Sequence, residues 1–212
     1  MTSQDLIYIK RLIEDRVITG PVLELGAGYG GETCKQLIAN EGLVYYATDI
    51  VPSAGVDYVA DFEGEDIFKY FPRNLQFNII LILNVLEHTF DPIQVLDNAR
   101  ELLGPDGALV VVTPCIWPLH DFPIDCYRIL PNFYERYAES RRMNLDRQRF
   151  EYLGYGLIAS HSEAGKHCFP LPTQGISYWK SRVVHRLFNT FGRGMSSPSH
   201  VAIGAVLHMQ TR

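Results

Sequence analysis

Apolar runs alternating with helical stretches predict an α/β fold on a mainly parallel sheet, and three observations carry that prediction. The run at Val22–Leu25 breaks into Gly26, Gly28, Gly30 and Gly31 and then into a helical stretch, which reads as strand, turn and helix. Phe77–Leu83 is apolar almost throughout, as suits a central parallel strand buried on both faces. The chain has 212 residues of which 47% are apolar, enough to bury one core, so a single domain is expected over 1–212.

The elements follow in order. Leu6, Ile9, Leu12, Ile13 and Val17 recur at helical spacing behind Thr2 and Ser3 as candidate caps, giving an amphipathic helix over 3–18. After the glycine turn, Cys34, Leu37 and Ile38 mark the inner face of the next helix, expected over 32–40, and Gly42 ends it. Residues 43–48 read as a second strand with Asp49 at its tip, and 56–62 as a third, short strand that reaches Asp61 and Phe62; Asp57 is read as structural. Phe77–Leu83 is followed by Asn84, Val85, Leu86, Glu87 and His88. Asp91-Pro92 opens a helix with Ile93, Val95, Leu96, Ala99, Leu102 and Leu103 as its stripe. A tight turn at 104–107 leads into a fifth strand at 108–114. Leu130-Pro131 opens another helix carrying Phe133, Tyr134 and Tyr137. Residues 150–156 and 199–209 read as strands six and seven, with an insertion at about 157–198 between them.

Glycines at the first turn take positive φ without a Cβ clash and let a ligand approach the backbone, while a helix N-terminus supplies unpaired N–H groups. Gly26, Gly28 and Gly31 satisfy the G-x-G-x-x-G spacing of dinucleotide sites, with Asp49 about 20 residues on. Against a dinucleotide stands Glu24, which would lie near a pyrophosphate but suits the ammonium of a cofactor bearing an amino acid. The stretch Glu24, Gly26, Gly28, Gly30 resembles motif I, E/D-x-G-x-G-x-G, of the class I S-adenosylmethionine-dependent methyltransferases. Val-Leu-Glu-His at 85–88 and the Leu-Leu-x-Pro-Asp-Gly-x-Leu-Val-Val-x-Thr-Pro order at 102–114 resemble the same family, and the segment after strand five resembles its type-11, small-molecule branch.

That resemblance implies a Rossmann-like α/β/α sandwich of seven strands with the last antiparallel, and S-adenosylmethionine as cofactor. It assigns Glu24, Gly26, Ala27, Gly28 and Gly30 to the methionine end, Asp49 and Ile50 to the ribose side, and Asp61 and Phe62 to adenine. Asn84, Val85 and Leu86 would flank the adenosyl group. Helices ahead of the first strand often cross the cofactor mouth in this family, which makes Tyr8 a candidate ligand contact beside its reading as a core tyrosine.

Two histidines are candidate bases for stripping a proton from the acceptor: His120, whose pKa class suits neutral pH, and His88, which also reads as a cap of the following helix. Asp125 and Arg128, three apart, are candidate substrate contacts and read foremost as a local ion pair. No metal is expected, because only Glu87 and Asp121 stand near the ends of strands four and five. The implied function is in-line methyl transfer to an oxygen or nitrogen of a small polar acceptor, a metabolite, sugar or glycan-linked group. An NAD-linked oxidoreductase leaves Glu24 and Asp61 without a role. A non-catalytic subunit that binds S-adenosylmethionine keeps every cofactor residue and stays open.

The net charge of −5 and the lack of a basic block argue against a nucleic-acid partner. Cys34, Cys115, Cys126 and Cys168 are scattered without metal-like spacing, the N-terminus lacks a signal-peptide pattern, and a cytoplasmic location is expected. Residues 179–191 form a basic amphipathic stripe, with Trp179, Val183, Val184, Leu187, Phe188 and Phe191 against Lys180, Arg182 and Arg186. Its readings are packing on its own domain, a lid, a membrane-surface helix or a homodimer contact.

Overall fold

A computed structural model describes residues 2–28, 33–117, 119, 124–154, 157–160, 179, 183 and 201–210. Among them the sheet has nine strands, in the order β3-β2-β1-β4-β5-β9-β7-β8, with β6 also on β9. The strands are β1 (Val22–Leu25), β2 (Tyr45–Asp49), β3 (Tyr58–Val59), β4 (Phe77–Leu83), β5 (Leu103–Ile116), β6 (Met143–Leu145), β7 (Glu151–Gly154), β8 (Leu157–Ser160) and β9 (Val201–Met209). The helices are α1 (Ser3–Glu14), α2 (Lys35–Asn40), α3 (Pro92–Glu101) and α4 (Pro131–Arg141). Pairings from β3 through β5 are parallel, whereas β9 runs antiparallel to both β5 and β7. This is the Rossmann-like sheet with an antiparallel last strand that the sequence predicts.

The period-2 alternation of strand side chains divides the core between the two faces. On β4, Ile80 and Ile82 join one cluster with Leu96, Tyr134 and Tyr137 of α3 and α4. Ile79, Leu81 and Leu83 join the other with Leu12 and Ile38 of α1 and α2. β4 is thus buried on both faces, as its composition requires.

Several expected boundaries shift for identifiable reasons. The turn at 104–107 lies inside β5: Leu103 pairs with Phe77 and Ala108 with Ile79, so 104–107 bulge out of a ladder that closes again at once. Strand six is shorter than expected, and β8 folds back on β7 within the stretch assigned to the insertion. β6 is three residues long, too short to give a periodic signal. The remaining insertion residues, including all of 179–191 except Trp179 and Val183, lie outside the described residues. Both of those side chains are exposed. No described helix is long and apolar enough to cross a membrane.

α1 is fixed across the sheet by its own sequence. Thr2 and Asp5 form a capping box, the Thr2 hydroxyl accepting from Asp5 N–H and the Asp5 carboxylate from Thr2 N–H. One turn on, Tyr8 is fully buried. Its ring lies where a Cβ on Gly204 of β9 would come within 2.7 Å, and its hydroxyl donates to the Arg149 carbonyl at 2.7 Å. The expectation that Tyr8 contacts a ligand is therefore corrected: ring and hydroxyl are both committed to the core.

Candidate functional site

In an open parallel sheet a ligand settles beyond the carboxyl ends of the strands where the order reverses, here between β1 and β4. Most of the residues singled out from the sequence converge there. Gly26 follows β1 at φ +72°, and a Cβ on it would meet Val85 Cγ2 at 2.8 Å, so the turns after β1 and β4 touch at this point. A Cβ on Gly28 would meet Ser53 Oγ, Asp49 Cβ and Val56 Cγ2 within 2.9 Å. The turn is a backbone cradle that any side chain would fill. Gly30 lies outside the described residues.

The acids around this turn are hydrogen-bonded to the backbone that forms it. Asp49 is 8% exposed; Oδ2 accepts from Gly28 N–H at 2.9 Å and Oδ1 from Val51 N–H at 3.0 Å, while Ala27 N–H bonds the Thr48 carbonyl. Glu24 is 3% exposed, and its Oε2 accepts from Cys34 N–H and from the Tyr45 hydroxyl, both at 2.8 Å. Burial pushes the Glu24 carboxyl up, and these two donors pull against the rise. Ile50, next to Asp49, is 65% exposed at the mouth of the site.

On the β3 side, Asp61 makes an Asx turn, its Oδ1 accepting from Glu63 N–H. Phe62 is buried and packs edge-on against Phe71, with ring centroids 5.9 Å apart, and its carbonyl accepts from Asn98 of α3. Its ring is thus a core element rather than a face for adenine. Asp57 clamps β2 and β3, its Oδ2 accepting from Ala47 N–H while its own N–H bonds the Ala47 carbonyl, the structural part read for it.

Beyond β4, Asn84 takes φ +53°, an uncommon conformation for a side-chain-bearing residue, and its Nδ2 donates to Asp5 Oδ2 at 3.0 Å. Leu86 is buried in the core, so only its backbone faces the site. His88 ends the short 3₁₀ turn Leu86–His88, and its Nδ1 is 2.5 Å from the Ile124 carbonyl. A carbonyl only accepts, so Nδ1 donates in this contact.

Asp125 and Arg128 form the expected ion pair in bidentate form, at 2.5 and 2.6 Å, with the Asp125 side chain fully buried and Arg128 Nε on the Trp117 carbonyl at 3.3 Å. The pair fixes the segment after β5 against the turn after β4, where the Glu87 carbonyl accepts from Cys126 N–H at 2.7 Å. His120 lies outside the described residues.

Two acids here were not singled out as site residues from the sequence. Glu87 is 1% exposed with neither carboxylate oxygen hydrogen-bonded among the described residues, and desolvation pushes it up to about 8, against the opposing pull of Arg128. Asp5 is fully buried with Oδ1 unpartnered. The signal was present for Glu87, an acid in the turn that follows an apolar strand; Asp5, in the first turn of an amphipathic helix, carried none.

A family model described as a methyltransferase domain matches residues 8–192. The non-reducing polyketide synthase nvfA of Aspergillus novofumigatus is 34% identical over 124 residues, 51% of this chain and 5% of that protein. The chain thus spans a small fraction of the curated relatives it matches. Among solved structures, the Burkholderia thailandensis 1,6-didemethyltoxoflavin-N1-methyltransferase, with 1,6-didemethyltoxoflavin and S-adenosylhomocysteine bound, superposes at TM-score 0.60 with 11% identity over 98% of this chain and 79% of that one. The CurJ carbon methyltransferase superposes at 0.55 with 15% identity over 95% and 53%. With the glycine cradle, the acids at the ends of β1 and β2 and the antiparallel last strand, these findings show that the chain belongs to the methyltransferase-domain family, on the class I fold of S-adenosylmethionine-dependent enzymes.

Proposed function

We propose that the chain transfers a methyl group from S-adenosylmethionine to an oxygen or nitrogen of a small polar or glycan-linked acceptor. The observation that carries this reading is the side-chain-free cradle at Gly26 and Gly28, pressed against Asp49 and Val85 and ringed by buried acids. Those residues fit the cofactor: its cationic amino-acid end meets carboxylates, and its sugar and base meet a carboxylate beside exposed apolar surface. Glu24, Gly26, Ala27, Gly28 and Gly30 would hold the methionine end, Asp49 the ribose and Asp61 the adenine amine. Ile50 and the backbone of Asn84, Val85 and Leu86 would line the adenosyl group.

When bound, S-adenosylmethionine supplies an electrophilic methyl on a good leaving group, which leaves the protein to position the acceptor and take its proton. His88 is the candidate for that second task, its ring held at Nδ1 by the Ile124 carbonyl. His120 is the rival base. The Asp125–Arg128 pair holds the acceptor-side segment in place.

A carbon acceptor is the second reading, favoured by the identity to polyketide synthases. Calorimetric titration with S-adenosylhomocysteine and with NAD tests the cofactor. Micromolar binding of the thioether that Asp49→Ala abolishes supports the reading, and binding of NAD alone refutes it. Methyl transfer from labelled S-adenosylmethionine to hydroxyl, amine and β-dicarbonyl acceptors then separates the acceptor classes.

A further inference from the structure

The capping acid of α1 reaches well beyond its own helix. Asp5 lies one turn from Tyr8, and with the Tyr8 ring seated against Gly204 the same helix face is turned onto the sheet. Its carboxylate meets Asn84 at the end of β4, and its charge acts on both Cys34, which follows the glycine turn, and Glu87, which follows β4. Asp5 therefore stands at the crossing of the two turns that define the cofactor cleft.

Its hydrogen bonding is lopsided. Oδ2 accepts from Thr2 N–H at 2.6 Å and from Asn84 Nδ2 at 3.0 Å, while Oδ1 is buried without a partner. No cationic side chain among the described residues pairs with it. A fully buried carboxylate with an idle oxygen and no counter-charge among the described side chains favours an approaching cation. Nearby Glu24 has the same division, one oxygen occupied by Cys34 and Tyr45, so the two acids stand as a pair at this end of the cleft.

We infer that Asp5 is a cofactor-binding residue whose Oδ1 accepts from the α-ammonium of S-adenosylmethionine while Oδ2 stays on Asn84, so that the capping box of α1 also closes the amino-acid end of the cleft. The inference rests on the cofactor reading above. It makes the helix that crosses the cleft selective for the amino group, separately from recognition of the adenosyl part by Asp49 and Asp61.

The test compares S-adenosylhomocysteine with 5′-methylthioadenosine, which lacks the amino acid, by calorimetry. Asp5→Asn keeps the shape and the acceptor to Thr2 but removes the charge; it should weaken S-adenosylhomocysteine about tenfold or more and leave methylthioadenosine within about twofold. Thr2→Val, which removes the cap hydroxyl and spares the carboxylate, should leave both ligands within about twofold. In the unaltered protein, the analogue of S-adenosylhomocysteine with hydrogen in place of the amino group should bind about tenfold more weakly, a result independent of how the variants fold. Equal loss of both ligands in Asp5→Asn, or no loss, overturns the inference and leaves the cofactor reading intact. Failure of the unaltered protein to bind S-adenosylhomocysteine overturns both.

Discussion

Replacing Glu87 by glutamine should flatten a large part of the pH dependence of stability. The carboxyl is 1% exposed, no described group hydrogen-bonds it, and burial pushes it from 4.5 up to about 8. Asp125 and Asp5 add to that rise and Arg128 opposes it. The folded protein keeps the proton on Glu87 across a range where the unfolded chain has lost it. Stability from this group is therefore complete below the unfolded value and falls as pH rises towards the folded one. Each pH unit within that window removes about 1.4 kcal/mol, so moving from pH 5 to pH 8 removes roughly 3–4 kcal/mol through this one group. Urea unfolding of the unaltered protein and Glu87→Gln at pH 5, 6.5 and 8 isolates it, because every other titrating group cancels in the difference. The two should agree to about 1 kcal/mol at pH 5 and diverge in favour of the variant at pH 8. Parallel curves would show that Glu87 is ionised in the fold, and the account of its surroundings would fail.

Other outcomes follow from the same geometry. Gly28→Ala puts a Cβ within 2.9 Å of Asp49 and Val56, which should destabilise the fold by about 1–3 kcal/mol and weaken S-adenosylhomocysteine in calorimetry. Arg128→Met leaves the buried Asp125 carboxylate without its bidentate partner, and a loss of about 3 kcal/mol is expected by urea unfolding. Tyr8→Phe deletes a buried hydroxyl that donates to the Arg149 carbonyl, and thermal unfolding should register a loss of about 1–2 kcal/mol with S-adenosylhomocysteine affinity within about twofold. His88→Ala should lower methyl transfer by about two orders of magnitude while leaving S-adenosylhomocysteine binding unchanged, as a base does and a cofactor ligand does not.

What the sequence disclosed divides along a physical line. Local patterns were legible: the apolar run of β4, the glycine turn, the Pro-initiated α3 and α4, and the three-residue spacing of Asp125 and Arg128 each depend on neighbours in the chain. Illegible were facts created by distant partners. Tyr8 was read both as a core tyrosine and as a ligand contact, and nothing near it announces Gly204, nearly two hundred residues on, as the floor on which its ring rests. Phe62 follows Asp61 in sequence, yet the turn at Asp61 and the grip of Asn98 send the two side chains to different surroundings. Asp5 gives the signature of a helix cap and serves as one, and only the meeting of α1 with the end of β4 adds its second partner.

The place of β9 has a consequence for how the molecule is made. This strand, from residue 201 onward, lies between β5 and β7, so while the ribosome is still adding the preceding residues the long apolar flank of β5 has no permanent neighbour. Tyr8 likewise has no seat until Gly204 is in place, although Leu12 of the same helix meets β4 and α2, which are made earlier. Assembly thus waits for the late arrival of one strand. Until then the nascent chain carries an open sheet edge that invites pairing with other chains, the hazard that holdase chaperones suppress.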